Sequence, residues 1–155
     1  MLGRLSSMFK RPAPAGTRET LRSFAVSDRT ITESGISPDE GGWRIDARET
    51  GSVRLFELDE PDVERCLLTY RAELKAADLE GGAYLEMWCR FPGRGEFFSK
   101  GVQQKAKGTT RWSSYEVPFT LKVGERPDLI RLNIAFDGPG TLWVRNIELL
   151  RTPLG

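Results

Sequence analysis

The run Ala83–Leu150 decides the fold. It reads AYLEMWCRF (83–91), a turn at Pro92-Gly93-Arg94-Gly95, EFFSKGVQQ (96–104), a turn at Lys107-Gly108, RWSSYEVPFTL (111–121), a charged turn ending at Pro127, LIRLNIAF (129–136), Asp137-Gly138-Pro139-Gly140, and TLWVRNIELL (141–150). Leu85, Met87 and Cys89 alternate with Tyr84, Glu86, Trp88 and Arg90, and Ile130, Leu132, Ile134 and Phe136 alternate with Arg131, Asn133 and Ala135. A two-residue period between Gly-, Pro- and Asp-marked corners is the pattern of antiparallel strands, and no segment carries a comparable 3.6-residue period.

The same logic extends upstream. ERCLLTYRAELKA (64–76) puts Cys66, Leu68, Tyr70, Ala72 and Leu74 on one face and Leu67, Thr69, Arg71, Glu73 and Lys75 on the other, with Ala76–Gly82 read as the turn that closes it. WRIDA (43–47) and SVRLFEL (52–58), joined through Thr50-Gly51, read as a hairpin. LRSFAV (21–26) and TITESGI (30–36) read as one or two edge strands. The nine or ten strands so counted are enough for two packed antiparallel sheets, an all-β jelly-roll sandwich over residues 20–155.

Composition narrows the function. A chain of 155 residues with 39% hydrophobic content suits one domain. A net charge of +1 speaks against a nucleic-acid partner. Residues 1–19 form a basic, flexible tail in which Leu2, Leu5, Met8 and Phe9 have helical spacing beside Arg4, Lys10 and Arg11. That tail is read either as frayed or as making weak contact with an anionic membrane surface. No run is long enough to span a bilayer and no secretory signal is recognised, so a soluble cytoplasmic protein is expected.

Histidine is absent, which removes the commonest general base and the commonest transition-metal ligand. Cys66 and Cys89 fall at apolar strand positions and read as reduced core thiols, a disulfide requiring that their strands be neighbours. The acidic group Glu57-Asp59-Glu60-Asp62 lacks calcium-loop spacing and reads as a solvated turn. Catalysis would have to rest on a carboxylate pair roughly 5 to 10 Å apart, such as Glu73 with Glu86 meeting across strands; nothing in the spacing requires this, and no enzyme activity is expected.

The order LEMWCRFPGRGEFFSKG (85–101), KGTTRW (107–112) with YEVPF (115–119), then LKVGERPDLIRLNIAFDGPGTLWVRNIELL (121–150) resembles the galactose-binding-like jelly rolls of bacterial carbohydrate-binding modules. The likeness covers about residues 63–150, and the first third matches by length and strand count. It implies a non-catalytic binding domain, with a glycan as the leading ligand. Where such relatives carry acidic residues after the last Trp-Val, holding a structural calcium, this chain has Arg145 and Asn146, so no cofactor is expected. A more distant likeness, to the complex I intermediate-associated assembly factors, implies a protein partner in a cytoplasmic complex instead.

A sugar presents an apolar ring face and a rim of hydroxyls, so its site needs a flat aromatic beside paired polar groups. Trp88 between Glu86 and Arg90, with Arg71, Arg131 and Asn133 on the same polar side, supplies that set. The plainer reading is a loop-covered Trp among cross-strand ion pairs. Trp43 and Trp112 each open a strand after a turn, and the resemblance implies that Trp112, which follows a Gly-Thr step, packs the end of the core. Trp143 is read as extending the platform or as buried by the tail. Phe97-Phe98 place aromatics on both sides of one strand, so at least one is exposed unless a partner or loop covers it. Lys100, Lys105, Lys107 and Arg111 read as a solvated face.

Overall fold

The computed structural model describes residues 13–155, and every regular element in it is a strand. The strands are β1 (Glu19–Phe24), β2 (Ile36–Asp39), β3 (Gly42–Ala47), β4 (Gly51–Asp59), β5 (Cys66–Phe91), β6 (Gly95–Lys100), β7 (Ala106–Leu121), β8 (Leu129–Phe136) and β9 (Gly140–Pro153). The amphipathic segment around Leu2–Lys10 lies outside the described residues. Ala13–Ala15 run along the end of β9, where Pro14 bridges Leu154 and the Ala15 amide donates to the Pro153 carbonyl at 2.6 Å.

β5 organises the molecule because it belongs to both layers. Its first half, Cys66–Ala77, pairs antiparallel with β9 on one side and β7 on the other. Its second half, Ala83–Arg90, pairs with β8, and Glu86–Phe91 pairs with β6. β9 also carries β3 and, further along the same edge, β1, with β2 outside β3. β4 closes the other layer against β8. The two layers are thus β2-β3-β9-β5-β7 with β1, and β4-β8-β5-β6.

The sequence suggests a reversing turn at Ala76–Gly82, but the chain there continues in one 26-residue strand that bends from sheet to sheet. Asp78, Gly81 and Gly82 take φ of 51°, 73° and 98°, left-handed conformations that glycine adopts without steric cost. The expected 43–47/52–58 hairpin does not form either. β3 pairs with β2 and β9 whereas β4 pairs with β8, so the chain crosses between layers at Arg48–Thr50. Of TITESGI, only Ile36 enters a strand; the Ile31 and Thr32 amides instead donate to the Leu55 and Arg54 carbonyls, capping the edge of β4.

The core lies between the inner faces. Leu68, Tyr70, Ala72 and Leu74 from the first half of β5 and Leu85, Met87 and Cys89 from the second are all at most 1% exposed. Each such large apolar side chain withdrawn from water contributes about 1.5–3 kcal/mol. Phe24 stacks on Phe56 at 4.1 Å, and Trp43 meets Phe56 edge-on at 5.5 Å, tying the layers together. The Tyr70 hydroxyl donates across the core to the Asn133 carbonyl at 3.2 Å, which satisfies its one polar atom. Cys66 and Cys89 are free and buried; burial, and secondarily the neighbouring Cys66, pushes the Cys89 thiol up to about 12.

Candidate functional site

The outer face of the β4-β8-β5-β6 layer brings together the residues singled out around Trp88. Register places Glu86 opposite Asn133 and Lys100, Trp88 opposite Arg131 and Phe98, and Arg90 opposite Leu129 and Glu96. Glu86 is the centre of this face. It is 3% exposed, and its Oε1 accepts from the Trp88 indole N–H at 2.9 Å, the Asn133 amide at 3.1 Å and the Ser52 hydroxyl at 3.1 Å. Lys100 Nζ stands 3.7 Å from Oε2. A buried carboxylate is tolerated where several donors and a cation compensate its lost hydration.

Around that centre the aromatics and ion pairs form rows. Trp88 is half-buried and its ring lies 5.0 Å from Phe98, with Lys100 over both rings. Arg131 joins Glu57 at 3.2 Å to Glu96 at 2.6 Å, and Arg90 binds Asp128 through two nitrogens at 2.9 and 3.3 Å. The Asp128 hydrogen bond holds the Arg90 guanidinium above its ordinary range. At the other end Lys105 pairs with Asp137 at 2.7 Å and lies 5.5 Å from the Tyr84 ring. Burial, then the Asp137 and Glu86 charges, raises the Tyr84 phenol. Asn133 is 4% exposed and its Oδ1 has no hydrogen-bond partner.

Arg71 does not join this face. It sits on the other half of β5, beyond the bend, and pairs with Glu148 at 3.0 Å on the opposite surface of the molecule. The expectation failed because the alternation along β5 is unbroken in character while the strand changes sheets. For the same reason Glu73 and Glu86 lie on different outer faces and form no catalytic pair across strands.

Trp112 also departs from expectation. It stands half-buried on the outer face with Lys75 and Trp143, not at the end of the core, and the Arg145 guanidinium lies 3.9 Å from its ring centroid. Trp143 shares that face and donates to Asp39 at 2.9 Å, with Lys75 4.5 Å above its ring. It lies on the outer face of the other layer, opposite Lys75 of β5, and so does not extend the Trp88 platform. Ser52, Lys100, Phe98 and Tyr84, which complete the Glu86 face, come from strands whose neighbours depend on the sheet crossing. Among the described residues no three acidic or sulfur side chains gather as a metal site would require.

No family model matches the chain, and no curated protein is similar to it in sequence. Its likenesses lie among solved structures. A family 4 carbohydrate-binding module matches with a TM-score of 0.55 at 12% identity, covering 76% of each chain. A family 29 module complexed with mannohexaose matches with a TM-score of 0.52 at 14% identity, covering 88% of this chain and 92% of that one. The CBM22-1 xylan-binding domain from Paenibacillus barcinonensis Xyn10C matches with a TM-score of 0.53 at 9% identity, covering 92% and 99%. The chain accordingly has the jelly-roll β-sandwich fold of carbohydrate-binding modules.

Proposed function

We propose that this protein is a non-catalytic glycan-binding module whose ligand lies on the Glu86–Trp88 face. The carrying observation is the Glu86 carboxylate, buried in the middle of a polar sheet face and held by the Trp88 indole, Asn133 and Ser52. Three neutral donors on one oxygen lock the Trp88 ring in place, so the aromatic surface is organised before ligand arrives. Preorganisation of this kind lowers the entropy cost of binding. Phe98 widens the apolar surface, while Lys100, Arg131 and Arg90 border it with donors suited to sugar hydroxyls.

The chains named for the structural neighbours, xylan and mannohexaose, are the natural first probes. Isothermal titration with these and a broader glycan array, run on wild type and Trp88→Ala, tests the reading. Binding that the substitution abolishes supports it. Absence of binding to every glycan, or affinity untouched by Trp88→Ala, removes it and returns weight to a protein-binding module.

A further inference from the structure

A second site opens at the sandwich edge, away from the Glu86 centre. As strands β6 and β7 each pair only with β5, so the two layers part between them and leave a cleft of about 490 Å³. That volume is in the range of ligand pockets, about 300–1,000 Å³. Its walls are aromatic: Phe91 is buried at the back, with Phe97 5.8 Å and Phe119 6.2 Å from it. Phe97 and Phe98 are 50% and 54% exposed, Phe97 against Phe91 in the cleft and Phe98 against Trp88 on the other side of β6.

The rim of the cleft is charged. Arg94 and Lys122 line it, and among the described residues neither has a carboxylate within ion-pair distance. Arg126, in the same β7–β8 connection as Lys122, shows the contrast, because Asp62 at 3.2 Å and Glu64 at 2.9 Å occupy it. Glu125 also lines the cleft, with its carboxylate turned back to accept from the Lys122 amide at 2.7 Å. The rim therefore carries an excess of positive charge beside the phenyl rings, with Ser99 and Thr120 also in the lining.

We propose that this cleft binds a single-chain anionic amphiphile, a free fatty acid, with its alkyl chain against Phe91, Phe97 and Phe119 and its carboxylate at Arg94 and Lys122. Ser99, Thr120 and Glu125 also line the cleft, so it holds hydroxyls and a carboxylate besides its phenyl rings, which themselves offer no hydrogen-bonding group. An alkyl chain needs none. The guanidinium of Arg94 is the group best shaped to meet a carboxylate through two bonds at once. The cleft adjoins the glycan platform at Phe98, but the proposal does not use that residue and stands or falls without the glycan reading.

Titration calorimetry with sodium dodecanoate, kept below its micelle concentration, tests the proposal on the full chain. The expected result is saturable one-to-one binding, weakened at least tenfold by Phe97→Ser and by Arg94→Glu, and falling as the chain is shortened to octanoate. Both side chains are exposed, and circular dichroism verifies that the variants stay folded; Lys122→Glu serves as a further charge reversal. No saturable binding, equal affinity for dodecyltrimethylammonium, indifference to chain length or to all three substitutions, or binding only to anionic lipid vesicles would each overturn it.

Discussion

The two halves of β5 begin from one pattern and end in different chemistry. In the first half the outward carboxylate is Glu73, 31% exposed and shared by Arg145 and Asn146 at the bulge in β9. In the second half it is Glu86, 3% exposed and held mainly by neutral donors. Around Glu73 the tryptophans carry Lys75, Arg44 and Arg145 over their rings; around Glu86 the indole also has Lys100 over it, but its edge is tied to the carboxylate and its ring lies beside Phe98. The difference teaches that a carboxylate's neighbours, set by which sheet it joins, decide whether it makes a surface ion pair or organises a site.

The largest effect should leave the halves alike. Leu74→Ala and Leu85→Ala remove fully buried side chains from the first and second halves, and each is expected to lower stability by about 2–5 kcal/mol in urea unfolding. A much smaller loss in one half would mean that the core is not shared. Glu86→Ala should then separate the two faces. Stranding the Trp88 and Asn133 donors is expected to cost about 1–3 kcal/mol, against less than about 1 kcal/mol for Glu73→Ala at its more exposed ion pair. Equal losses would break the contrast.

Binding sharpens the comparison further. Trp88→Ala is expected to weaken glycan affinity at least tenfold, about 1.4 kcal/mol, while Trp143→Ala on the opposite surface leaves it unchanged in the same titration. The smallest effect is a dependence on pH. The Asn146 hydrogen bond, followed by Arg145, holds the Glu73 carboxyl below its ordinary value. A depressed folded-state value stabilises above the unfolded carboxyl's titration, and that contribution is lost as pH falls through the folded value. Thermal midpoints measured from pH 6 to pH 3 should therefore fall less for Glu73→Gln than for wild type, by a degree or two; parallel curves would show the pair to contribute nothing.

How far the chain could be read without its structure differs by level. The alternations in 64–76, 83–91, 129–136 and 141–150 determined strands and told core positions from outward ones, because a pleated backbone sends successive side chains to opposite faces. Leu85, Met87, Ile134 and Val144 are buried as that period requires. Glu86, Trp88, Arg131 and Asn133 were legible as one polar group, since their strands pair directly.

The partition of faces was not legible. Period two says which residues share a side of a strand but not which sheet the strand is in, so Arg71 and Trp88 looked alike until Asp78–Gly82 carried β5 across the sandwich. Trp112 followed the same rule, its place fixed by pairing with Lys75's strand and not by the turn before it. The residues alone determined that this is an all-β chain with a given inward set. The tertiary structure alone decided that Ser52, Trp88 and Asn133 converge on one buried carboxylate and that Phe97 and Phe119 face one cleft. Those contacts join strands distant in the chain, and only packing brings distant strands together.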